Sequence, residues 1–302
     1  MKDLEVRLFK GQVPDTQAPV NGTSLPEFFR RFVEYAKNNY SGQHLQSDLS
    51  RINIMQDFFA RKGVRHLQSI TPGRYEEFES SVLKGRSPKT RKNYLALLKT
   101  MLNYAVKWGV IDRNPLTAAR PPKVVKTFRF FSKKEINGLI AEAEEPLRTG
   151  IIILVNTGMR RAELFNLRWR DVDLRSKKLR VWPYEGFVPK GKKPRSIPLN
   201  DDTLTVLKNL RKTNRDSEYV YRPYSSIFTL RERFKTLAER VGMSGTLHDL
   251  RHTFASHLAM AGVPIPVIKE LLGHSDIATT MIYAHLSPEQ SRIAVAKLKF
   301  QS

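Results

Sequence analysis

Thr-Leu-His-Asp-Leu-Arg-His at 246–252, Leu-Leu-Gly-His-Ser at 271–275 and Ile-Tyr-Ala-His at 282–285 are the segments on which the reading of this chain turns. Thr246 can cap a helix running to Gly262, and His248 and Arg251 then lie on one face of it. Gly273 can close a second helix and Ser275 can cap a third, which leaves His274 in the joint between them. Tyr283 falls two turns into that third helix. The stretch gathers two imidazoles, a guanidinium and a phenol, with no acidic cluster that would hold a metal. A permanently charged fork, proton-carrying donors and a nucleophile with a pKa near 10 point to phosphate chemistry. A single histidine or tyrosine on a helix is ordinarily a packed or solvated residue. The ordered series, and its partners upstream, carry the signal.

Composition agrees. The chain has 302 residues, enough for two domains that each bury a core. Lys and Arg number 52 against 29 Asp and Glu, a net charge of +23, which is the footprint of a nucleic-acid binder. A basic membrane-surface protein is the competing class. No run approaches the roughly 18 apolar residues of a membrane span, and Met1–Lys10 is too charged for a signal peptide. The expected location is the cytoplasm, in association with the nucleoid. The absence of cysteine excludes disulfides, cysteine-based zinc fingers and thiol catalysis. There is no Walker-type loop and no His-Glu-x-x-His, which fits a reaction needing no cofactor.

Residues 1–22 carry Pro14, Pro19, Gly11 and Gly22 with little periodicity and read as a loose arm. Residues 23–112 read as a four-helix domain. Ser24 and Glu27 form a capping box ahead of Leu25, Phe28, Phe29 and Phe32; Leu45 to Phe59 form a second amphipathic helix. Thr71-Pro72 and Ser87-Pro88 open the third and fourth. Lys89, Arg91 and Lys92 crowd the first turn of the fourth helix, where the macrodipole disfavours cations. That turn is either a solvated charged end or a seat for DNA phosphates. Residues 113–131, with three prolines and the basic Arg120, Lys123, Lys126 and Arg129, read as a linker. Such a strap suits a protein that closes around a duplex, and suits a plain connector equally.

Residues 132–302 form the second domain. It opens with a capping box, Ser132 to Glu135, and continues into an apolar run, Ile151 to Val155, that fits a buried helix beginning near Pro146. Gly158 would break that helix and project Arg160 from the turn. Leu179–Pro183 and Arg195–Leu199 read as short strands on either side of a lysine-rich hairpin tip, Pro189-Lys190-Gly191-Lys192-Lys193. Helices follow near 201–212 and 227–241. After Tyr283, Ser287-Pro288-Glu289 starts a last helix that is apolar on two sides, through Ile293 and Phe300 and through Val295 and Leu298. The fold class is mainly α with a small antiparallel sheet, in two domains.

In order, Thr157-Gly158-x-Arg160-x-x-Glu163-Leu164, Lys190-Gly191, His248-x-x-Arg251-His252, Leu272-Gly273-His274 and Tyr283 resemble the motifs of the tyrosine recombinases, the phage integrase family. The helical domain ahead of them is similar to that family's core-binding domain, so the resemblance covers residues 22–300 approximately, with no departure at a catalytic position.

The resemblance implies roles. Tyr283 would attack a scissile phosphate, leaving a 3′-phosphotyrosine and a free 5′-hydroxyl. Arg160 and Arg251 would clamp the non-bridging oxygens. Lys190 would protonate the leaving oxygen, with Lys192 or Lys193 as substitutes if the hairpin register differs. His248 and His274 would hydrogen-bond the phosphate, His248 being a possible base toward Tyr283, while Glu163 would orient its neighbours. His252 and His285 read as structural or solvated. Lys89, Arg91, Lys92, Arg120, Lys123, Lys192 and Lys193 are the candidate DNA contacts. The implied partners are double-stranded DNA recombination sites and further copies of the chain, a tetramer on DNA that exchanges the C-terminal helix between protomers. In build the chain is similar to the simple two-domain Xer-type enzymes, and phage or mobile-element integration is equally compatible. A type IB topoisomerase-like enzyme and a non-catalytic architectural protein are the alternatives. The complete residue set counts against the latter.

Overall fold

The computed structural model describes residues 23–40, 42–124, 128–183, 187 and 194–287. Lys190, Lys192, Lys193, the arm over 1–22 and the terminal helix expected after Ser287 lie outside those residues. The chain divides into two compact units, Met1–Lys126 and Thr127–Ser302. Among the described residues no helix is long and apolar enough to cross a membrane.

The first unit holds α1 (Leu25–Asn39), α2 (Gly42–Arg61), α3 (Pro72–Val82) and α4 (Pro88–Lys107), the four helices the periodicity predicts. Ser24, Thr71 and Ser87 each accept a backbone N–H three residues on, and a proline follows each cap where its missing N–H costs nothing. Their apolar faces meet in one core with an aromatic centre. Phe32 is fully buried among Phe28, Tyr35, Tyr104 and Trp108, with ring centroids between 5.8 and 6.4 Å away. Each such ring is worth about 1.5–3 kcal/mol on burial.

The expected linker is anchored at both ends. Leu116 is fully buried in the helical core, and Lys99 Nζ donates to the carbonyls of Thr117 and Ala119. At the other end Phe131 is fully buried in the second unit, and its N–H donates to Thr253 Oγ1 at 2.9 Å.

The second unit contains α5 (Lys133–Glu142), α6 (Leu147–Thr157), the one-turn α7 (Arg161–Phe165), β1 (Val172–Asp173), β2 (Lys178–Val181), β3 (Arg195–Pro198), α8 (Asp201–Thr213), α9 (Ile227–Arg240), α10 (Leu247–Met260) and α11 (Ile265–Leu272). The strands make one antiparallel sheet in the order β1-β2-β3, with Leu179 opposite Ile197 and Val181 opposite Arg195. Those four residues are buried, and alternate neighbours are exposed. The run Ile151–Val155 is helical, at the centre of a core packed against α8 and α10.

The segment after α11 departs from expectation. In place of a third α-helix capped by Ser275, two 3₁₀ turns run over Ile277–Thr279 and Met281–Leu286, and Asp276 caps the first by accepting from Ala278 N. Asp276, next in the chain, is as competent a cap as the expected Ser275. The shorter register places Thr280 and Tyr283, three residues apart, above one another.

Candidate active site

Two left-handed glycines shape the site. Gly158 ends α6 at φ +62° and Gly273 ends α11 at φ +64°. A Cβ at Gly273 would sit 2.9 Å from Arg195 Cδ, so both conformation and space call for glycine there. Each helix end turns a carbonyl toward the Arg251 guanidinium on α10. Nη1 donates to Gly158 O at 2.7 Å and Nη2 to Leu272 O at 2.6 Å. Arg251 is 2 % exposed, and a cation set against two helix C-termini is where the dipoles favour it. Burial, then the positive charge of Arg160, lowers its pKa to about 9, which leaves it protonated at neutral pH.

Arg160 caps α7 from the turn after Gly158. Its N–H donates to Glu163 Oε2 at 2.8 Å and its Nη1 to Glu163 Oε1 at 2.9 Å. Glu163 is buried, and burial alone would raise its carboxyl pKa. The hydrogen bond and charge of Arg195, with the charge of Arg160, outweigh that and hold it below the usual range. Glu163 thus accepts from both the backbone and the side chain of Arg160. Arg161, the alternative at this turn, lies over the Phe228 ring at 5.6 Å.

Near α10's start, His248 is exposed at one edge and otherwise largely covered, while Arg251 points inward. Thr246 N donates to Asp249 Oδ2 at 2.6 Å, which secures that end. His274, in the joint after Gly273, shares a hydrogen bond through Nδ1 with Thr280 Oγ1 at 2.9 Å. Tyr283 is 1 % exposed, packed with Ala255, Ala259, Ile268 and Leu272. Its hydroxyl is 2.7 Å from His252 Nδ1.

The sequence presents His252 as structural or solvated, and the resemblance makes His248 the possible base; the imidazole that meets the phenol is that of His252. The His252 ring is held by neighbours no local pattern reveals. Phe128 stacks on it with centroids 5.2 Å apart, and His248 meets it edge-on at 4.9 Å. Phe128 also meets the Tyr283 ring at 5.0 Å. His285 remains exposed, as expected.

Burial and crowded cations depress all three imidazoles. Burial, then His252 and Arg251, pushes His248 down to about 4. Burial, then Arg251 and Arg160, pushes His274 to about 3, and burial leads the lowering of His252. Burial raises Tyr283 to about 12, opposed by Arg251. The imidazole shifts are the response of a site where positive charge gathers in low dielectric, offset by Glu163 beside Arg160 and by Asp249 beside His248 and His252.

The candidate DNA contacts divide. Arg120 and Lys123 are exposed, as is Lys89, and Lys92 is partly so. Arg91 instead donates through Nε to Glu79 at 3.0 Å, so one of the three cations on α4's first turn has a local partner. Sequence reasoning also passed over Arg195. Its signal was present: Arg195 is in phase with the inward Ile197 and Leu199, where a strand ordinarily places an apolar residue.

Residues 129–290 match the phage integrase family and residues 24–121 match its SAM-like domain. The chain belongs to the phage integrase family and is a tyrosine recombinase. It is 28 % identical to the integrase of Salmonella phage P22, over 85 % of this chain and 75 % of that protein. With a tyrosine recombinase of Thermosipho africanus it shares 31 % identity, over 78 % of this chain and 87 % of the relative. In fold it is similar to the Tn1549 transposon integrase, solved in complex with transposon right end DNA, at a TM-score of 0.72, 19 % identity and coverage of 91 % and 99 %. A lambda integrase dimer bound to a COC′ core site gives a TM-score of 0.72 at 20 % identity, covering 94 % of this chain and 84 % of that one.

Proposed function

We propose that the chain cuts and rejoins duplex DNA at specific sites through a phosphotyrosine on Tyr283. The observation that carries this reading is the 2.7 Å bond between the Tyr283 hydroxyl and His252, the residue that directly follows the inward-pointing Arg251 on α10. Arg160 and Arg251 bind the non-bridging oxygens of the scissile phosphate, a charge-matched clamp whose donors are already in place. His274, held by Thr280 at Nδ1, presents Nε2 to the same phosphate, and His248 offers a further donor from the exposed edge.

The Tyr283 oxygen attacks phosphorus as its proton passes to His252. The bond to the 5′-oxygen breaks, and Lys190 supplies the proton that leaving group requires, Lys192 or Lys193 being the substitutes. A 3′-phosphotyrosine and a 5′-hydroxyl result. Attack by a 5′-hydroxyl from a second duplex reverses each transfer and frees Tyr283. The ester conserves the energy of the broken bond, so resealing needs no nucleotide. Lys89, Lys92, Arg120 and Lys123 hold the flanking phosphates, with Arg91 joining them if it leaves Glu79.

Lambda integrase has been solved as a tetramer bound to a Holliday junction. This chain assembles likewise, four copies on paired DNA sites, with the segment after Ser287 docked into a neighbouring protomer. Integration of a mobile element and resolution of joined circles are both served by this chemistry.

The test begins by footprinting the site the protein protects, then presents a nicked duplex carrying it. Wild-type protein becomes covalently attached on a denaturing gel, while Tyr283→Phe binds and stays free. Attachment in the Phe variant would displace Tyr283 as nucleophile. Two-site plasmids then give recombinants; relaxed circles alone would mark a topoisomerase.

A further inference from the structure

We infer that Arg195 is a positioning residue for the recombination reaction, one guanidinium that sets Arg160, Arg251 and His274 at once. The inference rests on the reading in which those three groups hold the scissile phosphate.

The geometry is that of a hub. Arg195 lies on the inward face of β3 with a side chain only 3 % exposed. Its Nη1 donates to Glu163 Oε1 at 3.1 Å and its Nη2 to Oε2 at 2.5 Å, a two-pronged grip on a buried carboxylate. Those same oxygens accept from Arg160, Oε1 from its Nη1 and Oε2 from its N–H. Arg195 Nε donates to Leu271 O at 2.9 Å, next in sequence to the Leu272 carbonyl that receives Arg251. Its Cδ and Nη1 lie 2.9 and 3.0 Å from where a Cβ on Gly273 would fall, immediately before His274. One side chain therefore meets the turn carrying Arg160, the helix end that braces Arg251, and the joint that aims His274.

Charge gives the arrangement a second effect. A single carboxylate facing Arg160 alone would neutralise it and compete with the phosphate. Shared between two guanidiniums, Glu163 leaves the group with a net positive charge, and Arg160 keeps attraction to spare for an incoming anion. Arg195 thus orients the clamp and keeps it cationic without touching DNA. A lysine cannot replace it, because one ammonium cannot span both carboxylate oxygens and also reach Leu271.

The experiment uses the full chain and the nicked duplex carrying the footprinted site, with melting followed by circular dichroism. Arg195→Met, assayed below its melting temperature at saturating DNA, is expected to lose covalent complex by about 10²-fold, the scale of a misplacement near one ångström. Its DNA affinity stays within a few-fold of wild type. Arg195→Lys regains part of the melting temperature and little of the cleavage. Leu207→Ala, a core cavity on α8, lowers melting comparably and cleaves normally. Combined with Arg160→Lys, Arg195→Met costs much less than the product of the separate losses, as groups acting together do. Losses that multiply in full, or an Arg195→Lys enzyme that cleaves at the wild-type rate, would overturn the inference. So would a Leu207→Ala loss equal to that of Arg195→Met, since stability alone would then explain both. If Arg195→Met does not fold, the lysine variant and its combination with Arg160→Lys decide. Failure of wild-type protein to attach would instead defeat the reading of Tyr283.

Discussion

The two domains bury different kinds of side chain. Among the described residues the helical domain encloses leucines, phenylalanines and tyrosines, and its one buried polar residue is Thr23 at the edge. The catalytic domain places Glu163, Arg195, Arg251, Thr253, Ser256 and Thr280 inside, next to an equally apolar core. An apolar core tolerates exchange of similar volumes, because its stability follows area and packing. A buried ionic cluster depends on every partner, since removing one leaves the rest charged or unpaired in low dielectric. The first domain is therefore held by area and the second, around its site, by hydrogen-bond geometry.

Paired substitutions put that contrast under strain. Arg251→Ala removes the guanidinium between two helix ends; it is expected to cut phosphotyrosine formation by at least about 10²–10³-fold, the size of losing a charge-stabilising donor. It also lowers the melting temperature of the catalytic domain. Phe32→Ala should cost the helical domain about 3–5 kcal/mol, while bound DNA is still cleaved at the wild-type rate. Single-turnover cleavage beside calorimetry measures both, and equal cleavage defects would erase the distinction.

His252→Ala comes next, at about 10²-fold in cleavage, the low end of a proton-transfer effect. His248→Ala should cost less. The reverse order would return the base to His248, where sequence reasoning had put it.

Acid should weaken the catalytic domain. Unfolded histidine titrates near 6.5, whereas His248 and His274 are held to about 4 and about 3 in the folded protein, with His252 also lowered. The native state then binds fewer protons than the unfolded one, so this stability is complete above 6.5 and declines as pH falls toward 3. Calorimetric melting between pH 7 and pH 4 reads the slope, and a flat profile would mean the imidazoles titrate normally. Bound duplex should shift the decline to lower pH if its phosphates bind the folded state more tightly once the histidines are charged.

The smallest effect is at a cap. Ser132 accepts from Glu135 N, and Ser132 N donates to Glu135 Oε2 at 2.7 Å. Ser132→Ala should cost about 1 kcal/mol, visible in melting and absent from cleavage.

Legibility in the sequence follows the same divide. Periodicity and caps mark the helices of the first domain because area-driven burial repeats along the chain: Phe28, Phe29 and Phe32 announce a face. The β2–β3 pairing is legible for the same reason, through Leu179, Val181 and Ile197. Arg160, Arg251, His274 and Tyr283 come from ordered motifs, and the structure brings them around one pair of helix ends. His252 and Arg195 escaped because their partners lie 31 and 32 residues away in sequence, Tyr283 and Glu163 respectively. A local pattern cannot encode such a meeting. It can flag an arginine in phase with isoleucine and leucine on a strand, and that anomaly was readable. The 3₁₀ turns escaped for another reason, since Ser275 and Asp276 are both competent caps and only tertiary packing chooses between them.

The 3₁₀ segment has a consequence in time. Between Asp276 and Ser287 the backbone is tied by short i-to-i+3 bonds, among them Thr279 N to Asp276 O at 3.3 Å and Ser287 N to Ala284 O at 3.2 Å. Such turns open at a small fraction of the free energy that unravels a packed α-helix. Amide hydrogens over 277–286 should therefore exchange with solvent well before those of the α10 interior. In the proposed reaction the Tyr283 nucleophile then belongs to the element expected to exchange quickly, while Arg251, bonded to the Gly158 and Leu272 carbonyls, belongs to the one expected to exchange slowly.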